Sequence, residues 1–167
     1  MQSFENVSMA FENFDYVIYA DGASLNNPGP AGFGVLIISK NGEIFETSDK
    51  IYHATNNQAE LSAVITGLSV LPRNSSVLVR TDSEYIVKAF NNGWLDKWQK
   101  NGWKTANKRL VQNKDRWERL LNETSNLKVV FEWVKGHHDD AFNLEVDRIA
   151  VLQANKAKSE LNLNLER

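Results

Sequence analysis

The sequence predicts an α/β domain in which one mixed β-sheet is flanked by helices. Three observations support this fold class. The first third of the chain contains three β-rich runs separated by turn residues, and the rest alternates amphipathic helices with two further apolar strands. No internal repeat or linker-like stretch interrupts the 167 residues, so we expect one domain over 1–167. The predicted element order is βββαβαααβα.

The first three strands are predicted to form an antiparallel meander. The first covers 15–24, and an Asn-, Pro- and Gly-rich turn at 26–30 follows it. The second strand is expected at 31–39. Asn41-Gly42 is then a tight hairpin signal, and it leads into a third strand at 43–52.

Helices and strands alternate through the remainder of the chain. Thr55 and Gln58 match a capping box, which begins a helix that continues to Leu71. The later elements are a strand at 76–81, a helix at 83–92, an irregular or short-helical stretch at 94–109, a helix at 112–123, a strand at 128–134 and a helix at 143–159. We expect residues 1–14 to be an N-terminal extension and 160–167 to be a frayed tail.

Composition excludes several classes of protein. The chain has no cysteine, which excludes disulfides, iron–sulfur clusters, thiolate catalysis and cysteine-based zinc sites, and fits a reducing cytoplasm. No apolar run approaches the ~20 residues that cross a bilayer. The first 14 residues contain no Lys or Arg, so they do not form a secretory signal. We therefore expect a cytoplasmic protein without membrane association. We also expect a monomer, and no obligatory protein partner.

Charge is distributed unevenly along the chain. The formal net charge is −2, yet residues 94–119 contain eight basic and three acidic side chains. That stretch carries +5 and the rest of the chain −7. A local basic stretch is typical of a nucleic-acid contact or of a solvated helical surface, and charge alone does not separate the two interpretations.

Two aspartates stand at the ends of predicted strands. Asp21 follows an apolar run and precedes Gly22, and Asp82 closes the strand at 76–81. Binding sites of α/β folds collect at strand ends. A single Asp at such a position is more often a turn or helix cap, so these two residues suggest a site without establishing one.

Two further acids fall on apolar helix faces. At about 100° per residue, Glu60 and Asp147 each lie on the stripe that should pack inward. The stripe residues are Ala63, Val64, Gly67, Leu68 and Leu71 in the first case and Leu144, Val146, Ala150, Val151 and Ala154 in the second. A buried carboxylate needs a partner. The candidates are Arg80, Lys135 or Arg148, or a hard cation such as Mg²⁺ or Mn²⁺, which prefers oxygen donors.

Seven motifs occur in order from about residue 16 to 154. They are Tyr19-Ala20-Asp21-Gly22-Ala23, Asn27-Pro28-Gly29-Pro30-Ala31-Gly32-Phe33-Gly34, Thr55-Asn56-Asn57-Gln58-Ala59-Glu60-Leu61, Thr81-Asp82-Ser83, Gly102-Trp103-Lys104-Thr105-Ala106, Trp133-Val134-Lys135-Gly136-His137 and Asn143-Leu144-Glu145-Val146-Asp147. Taken together and in this order, the motifs resemble those of type 1 ribonuclease H, and they are most similar to the bacterial form.

The resemblance implies a ribonuclease H-like fold with a five-stranded mixed sheet, three strands antiparallel and then two parallel. It implies an endonuclease that hydrolyses the RNA strand of RNA–DNA hybrids and leaves 3′-hydroxyl and 5′-phosphate ends. Asp21, Glu60, Asp82 and Asp147 match the ligands of two Mg²⁺ ions, for which Mn²⁺ is a substitute. His137 matches a histidine that assists proton transfer or product release.

Telling RNA from DNA requires contacts with 2′-hydroxyls. The positions that match RNA-strand contacts are Ser24, Asn27, Asn56, Asn57 and Glu84. The alternative explanations are turn chemistry for Asn27 and helix capping for Asn56, and one residue can do both. Glu84 stands where Gln is common in the family, which adds a negative charge close to Asp82 and puts that contact in doubt.

The DNA strand has its own set of matching positions. Thr55 and Asn113 match a phosphate pocket. The basic protrusion that grips DNA in bacterial enzymes is matched by Trp94, Lys97, Trp98, Lys100, Trp103 and Lys104. Helically spaced Trp is usually core, as expected for Trp117, but three Trp exceed what so short and Gly-interrupted a segment can bury.

Other departures from the family pattern are Ala23 for a frequent Ser, Leu144 for a common acid, and the acidic pair Asp139-Asp140 beside His137. None removes a catalytic group. Two alternatives remain on the same fold: a non-catalytic module that binds hybrid or double-stranded RNA, and a transposase- or integrase-like core. A binding module gives no reason for Glu60 and Asp147 to lie on apolar helix faces. The second lacks a DNA-targeting domain and leaves the Asn set unexplained.

Overall fold

A computed structural model describes residues 7–135 and 140–165 of the chain. After a short helical segment at 7–10, the described residues form five strands and five helices. They are β1 (Tyr16–Ser24), β2 (Gly29–Ser39), β3 (Ile44–Ala54), α1 (Asn56–Ser69), β4 (Ser76–Thr81), α2 (Glu84–Asn91), α3 (Trp94–Lys100), α4 (Lys114–Ser125), β5 (Lys128–Trp133) and α5 (Ala141–Leu165). From β1 onward, the order βββαβαααβα predicted from the sequence is confirmed.

The five strands form one mixed sheet in the order β3-β2-β1-β4-β5. β1 pairs with β2, and β2 with β3, in antiparallel fashion, whereas β1, β4 and β5 run parallel to one another. The predicted arrangement of three antiparallel strands followed by two parallel ones is therefore correct. Parallel strands bring their carboxyl ends to one edge, and this edge is where α/β folds place their sites.

Each face of the sheet has its own apolar core. On one face α1, α2 and α4 bury Ile18, Val35 and Val79 together with Trp117, which is fully buried as expected. On the other face α5 and the N-terminal residues cover a second cluster, which includes Val17 and Leu36. α5 approaches β2 closely because Gly34 has no side chain. A Cβ there would lie 2.8 Å from the Cβ of Ile149.

Both ends of the described part of the chain contact the domain. Val7 and Ala10 are buried against the second cluster, so the described part of the N-terminal extension belongs to the core. The prediction of a frayed tail from residue 160 is wrong for the described residues, since α5 continues to Leu165. The Tyr52 hydroxyl donates to Glu160 at 2.6 Å, and Lys50 pairs with Glu160 at 3.3 Å. These β3 contacts hold the end of α5 to the sheet.

No helix within residues 7–135 and 140–165 combines the length and apolarity that crossing a membrane requires.

Candidate metal centre and nucleic-acid interface

Two acids of the site are placed by the parallel pairing of β1 with β4. Tyr19 lies opposite Arg80 in this register. Asp21 and Asp82 each follow two residues later, so they reach the same edge of the sheet on the same face. Asp21 is almost entirely buried, with 4% of its surface exposed. The strand-end positions that the sequence predicts therefore come together in space.

Glu60 joins them because α1 lies very close to β1. The helix is capped as predicted: the Thr55 side chain accepts from the Gln58 amide, and the Gln58 side chain accepts from the Thr55 amide. A Cβ on Gly22 would lie 2.4 Å from the backbone of Ala59 and Glu60, so only glycine allows this approach. One carboxylate oxygen each from Asp21, Glu60 and Asp82 lie within 4.8 Å of one another.

Asp147 stands beside this cluster. Its carboxyl group is within hydrogen-bonding reach of Asp21. The prediction that Asp147 lies on an inward apolar stripe is wrong, because the side chain is exposed at the rim of the site. The buried face of α5 contains three residues of the predicted stripe, Val146, Ala150 and Ala154, and adds Asn143, Ile149 and Ala157. Leu144 and Val151, assigned to the stripe, are 42% and 39% exposed.

The site strongly disfavours the fully ionised state. Burial raises the pKa of Asp21, and the nearby carboxylates of Asp82, Asp147 and Glu60 raise it further. Burial also raises the pKa of Asp82. For Glu60, burial raises the pKa to about 7, although a hydrogen bond from Ser83 acts in the opposite direction. Crowded carboxylates of this kind favour a bound cation, and an all-oxygen donor set suits Mg²⁺ or Mn²⁺.

Two of the three proposed protein partners of these acids have other contacts. Arg148 pairs with Glu145 of its own helix at 2.6 Å. Arg80 donates to the Tyr19 hydroxyl at 2.9 Å and pairs with Glu132 at 3.3 Å. Lys135 is exposed. The main electrostatic influences on Asp21 are negative charges, which favours the cation over a buried ion pair as the reason for the cluster.

Three of the residues predicted to contact RNA form a connected group. The Asn56 side-chain oxygen accepts from the Ser24 amide at 2.7 Å, and the Asn27 side-chain oxygen accepts from the Asn56 amide at 2.9 Å. Asn57 is exposed next to them. Glu84 lies apart from this group at the start of α2, where it pairs with Lys88 at 3.2 Å. The pairing offsets much of the extra charge expected from Glu84.

The two residues matched to a phosphate pocket, Thr55 and Asn113, lie in one polar surface depression. It is lined by Asn27, Thr55, Asn57, Gln58, Gln112 and Asn113. Asn113 begins α4 with a left-handed backbone at φ 64° and makes no side-chain cap of its own helix. Its side-chain oxygen instead accepts from Gln58 at 3.1 Å. This bond holds the start of α4 against the start of α1, so Thr55 and Asn113 line one depression.

We call residues 94–104 the Trp–Lys segment. Lys97, Lys100 and Lys104 are all exposed along it. Each of its three Trp side chains is only half-buried against the main core, in keeping with the expectation that the segment cannot bury all three. Trp98 packs between Trp94 and Trp103, with ring centroids 6.1 and 6.2 Å away, and meets Trp117 edge-on at 5.7 Å. The tilted rings tie the segment to the main core, and the three lysines of the same segment are exposed.

His137 lies outside the described residues, so its predicted role stays a prediction from its motif. The sequence reasoning missed other residues that shape the site. Ser83 hydrogen-bonds to Glu60, and the Trp133 ring nitrogen donates to the Asp82 carbonyl at 3.1 Å. Gln58 links Thr55 to Asn113. The only sign in the sequence that these residues matter was that Ser83, Trp133 and Gln58 lie within family motifs.

Comparison with known proteins places this geometry in a family. The RNase H family model matches residues 13–155, which include all four acids. Ribonuclease H of Thermoanaerobacter sp. (strain X514) is 44% identical over 142 residues, covering 84% of this chain and 91% of that protein. The N-terminal RNase H domain from Mycobacterium tuberculosis, solved as a fusion with maltose binding protein, has 27% identity and a TM-score of 0.66, covering 89% of this chain and 99% of that one.

A second solved structure is LC11-RNase H1 in complex with RNA/DNA hybrid. It has 26% identity and a TM-score of 0.58, and the match covers 85% of this chain and 98% of that one. The family match spans well over half of the chain, and the curated relative exceeds 40% identity across most of both sequences. The chain therefore belongs to the ribonuclease H family.

Proposed function

We propose that this protein is an endonuclease that hydrolyses the RNA strand of RNA–DNA hybrids. The observation that carries the proposal is the convergence of Asp21, Glu60 and Asp82 at the end of β1 and β4, with Asp147 beside Asp21. A relative of 44% identity is named Ribonuclease H. LC11-RNase H1, of similar fold, was solved with an RNA/DNA hybrid.

Asp21, Glu60, Asp82 and Asp147 are the residues that would hold two Mg²⁺ ions, with Mn²⁺ as a substitute. When bound, such a pair of ions supplies an activated water and a charge clamp for in-line phosphodiester hydrolysis, which leaves 3′-hydroxyl and 5′-phosphate ends. Asp147 is the exposed member of the set, so it faces the side from which a phosphate would arrive.

The chain's own groups prepare the site for this chemistry. Ser83 donates to the Glu60 carboxylate, and Trp133 holds the Asp82 backbone, so both acids are oriented before substrate binds. Burial of Asp21 excludes water from one side of the cluster. On the strength of its motif, we assign the His137 imidazole the task of moving a proton near the leaving group.

RNA recognition is assigned to Ser24, Asn27, Asn56 and Asn57. The side-chain oxygens of Asn27 and Asn56 are engaged by backbone amides. In the part of the chain that the structure describes, their amide nitrogens have no protein acceptor, so they are available to donate to a 2′-hydroxyl or a base edge. A DNA strand lacks that hydroxyl, which gives the preference for RNA.

The other strand is assigned to the pocket of Thr55 and Asn113 and to the Trp–Lys segment. A phosphate in the pocket would receive hydrogen bonds from polar side chains on α1 and α4, and would fix where the hybrid sits relative to the acids. Exposed lysines would contact further phosphates. Because these contacts are charge-driven, binding should weaken steeply as salt rises.

The proposal is tested by incubating the protein with labelled RNA–DNA hybrid, RNA duplex and DNA duplex, each with Mg²⁺ or with EDTA. We expect cleavage of the RNA strand of the hybrid alone, and only with Mg²⁺. The product should be extended by a polymerase without prior phosphatase treatment, because that requires a 3′-hydroxyl. Hybrid binding without cleavage in any metal would favour a binding module, and cleavage of plain DNA would favour an integrase-like core.

A further inference from the structure

A row of polar side chains crosses the sheet directly before the acids. Tyr19 on β1 lies opposite Arg80 on β4, and Arg80 lies opposite Glu132 on β5. The row is on the face that α5 covers, two residues before Asp21 and Asp82. Tyr19 is fully buried and Arg80 is 9% exposed. Polar groups this deep in a small core require an explanation.

The hydrogen bonds of this row have a fixed direction. The Arg80 guanidinium has only donors, so the Tyr19 oxygen accepts from it at 2.9 Å. The single Tyr19 proton is then available to the Asp140 carboxylate, which lies within hydrogen-bonding reach. Asp140 in turn accepts from the backbone amides of Phe142 at 3.0 Å and Asn143 at 3.3 Å. One chain of bonds therefore runs from β4 through β1 into the first turn of α5.

We propose that Tyr19, Arg80 and Asp140 are positioning residues that fix α5 on the sheet so that Asp147 meets Asp21. This inference rests on the proposed function. Asp147 lies seven residues, about two helical turns, after Asp140 and so on the same side of the helix. The apolar contacts of α5, such as those of Val146 and Ile149, resist separation but not small slides along the sheet. A directional bond supplies that restraint.

The same contact involves a residue that departs from the family pattern. The acidic pair that departs from the family pattern gains an explanation at Asp140, because the carboxylate both accepts from Tyr19 and caps the helix.

The chain offers a matched pair of variants to test the inference. Tyr19→Phe removes the hydroxyl but keeps the ring, whose centroid is 5.4 Å from that of Phe142. Tyr52→Phe removes the corresponding bond to a carboxylate, Glu160, at the far end of the same helix. Both changes cost one tyrosine–carboxylate contact at an end of α5, yet only the first acts near the acids, where it also removes the acceptor of Arg80.

For Tyr19→Phe we expect kcat on the hybrid to fall about tenfold with KM within about twofold of wild type, and calorimetric Mg²⁺ affinity to fall about tenfold. Amide exchange at Phe142 and Asn143 should accelerate relative to Ile149. Tyr52→Phe should change none of these. If Tyr19 had a purely structural role, the variant would lose thermal stability, but its folded fraction would keep the wild-type kcat, KM and Mg²⁺ affinity. That result would overturn the proposal.

Asp140→Asn keeps a capping side chain but weakens the acceptor for Tyr19, so it should shift the same readouts in the same direction by a smaller factor. If Tyr19→Phe does not fold, Asp140→Asn provides the test. Wild-type kcat, Mg²⁺ affinity and amide exchange in Asp140→Asn would then refute the inference. Failure of the wild type to cleave hybrid would overturn the proposed function instead. The exchange of Phe142 and Asn143 in the variants would still test the positioning role.

Discussion

The acidic cluster and the Trp–Lys segment both concentrate charge of one sign, but they do so in opposite environments. Asp21, Glu60 and Asp82 come from three separate elements and converge in a largely buried site. Lys97, Lys100 and Lys104 come from one continuous segment and are fully open to water. The acids are held by strand ends and a helix of the core, whereas the lysines alternate with Trp residues whose tilted rings are half-buried against that core.

This difference separates two tasks. Like charges in a buried site repel strongly, raise the pKa of Asp21 and Glu60, and create a demand for a cation at one fixed point. Like charges on the surface are screened by water and salt and attract a polyanion over a broad area without fixing it closely. We therefore propose that the acids carry the chemistry and that the lysines bind the nucleic-acid backbone. The following predictions test that division, from the largest expected effect to the smallest.

Asp21→Asn should separate the two tasks most clearly. We expect cleavage to fall by at least about a thousandfold, because a lost metal ligand removes several kcal/mol of transition-state stabilisation. Hybrid affinity in EDTA should stay within about threefold of wild type, since the Trp–Lys segment is intact. Single-turnover cleavage and filter binding measure the two quantities. Asp49→Asn, on the edge strand β3, is the control, and equal loss in both variants would contradict the assignment.

The stability of the metal-free protein should depend on pH through the acids. Glu60 has a folded pKa of about 7, above the ordinary 4.5, so its stabilising contribution is complete below about 4.5 and is lost as pH rises through 7. Removing the protons leaves repelling carboxylates, so Mg²⁺ should stabilise the protein more at pH 8 than at pH 5, by on the order of 2 kcal/mol. Urea unfolding with and without Mg²⁺ measures this difference.

Asp21→Asn should show a smaller pH effect in the same titration, because one repelling charge is gone. Stabilisation by Mg²⁺ of equal size at both pH values would argue that the acids are not the cation site.

Neutralising the Trp–Lys segment should affect binding and spare chemistry. Replacing Lys97, Lys100 and Lys104 together by Gln should raise KM for the hybrid about tenfold, leave kcat within about twofold, and reduce the slope of log affinity against log salt by about two. The matched control replaces three exposed lysines elsewhere, Lys40, Lys156 and Lys158, by Gln. An unchanged salt slope in the first triple variant would exclude the segment as the phosphate contact.

Glu84→Gln should have the smallest effect. Glu84 is half-exposed and paired with Lys88, so its charge is already offset and screened, and we expect KM for the hybrid to fall by no more than about threefold. Glu118→Gln is a close control, because Glu118 forms a similarly exposed i,i+4 pair with Lys114 on α4. A tenfold or greater gain for Glu84→Gln alone would show that this position opposes substrate directly.

The sequence alone determined the order of elements and much of the local chemistry. The capping box of Thr55 and Gln58, the strand-end positions of Asp21 and Asp82, and the burial of Trp117 were all predicted. These features depend on residues close together in the chain, such as hydrogen bonds within one helical turn or the alternation of a strand. The family motifs supplied the set of four acids, which spacing by itself could not bring together.

The tertiary structure decided which of these groups meet and how deeply they are buried. Helix phasing placed Asp147 inward. In the structure α5 packs close to Gly34 and contacts β3, so its buried face is rotated from the predicted stripe and Asp147 lies at the rim. The link from Arg80 through Tyr19 to Asp140 was likewise invisible in the sequence. Burial, pKa and the assembly of a site depend on strand register and on packing between distant segments, which local patterns do not encode.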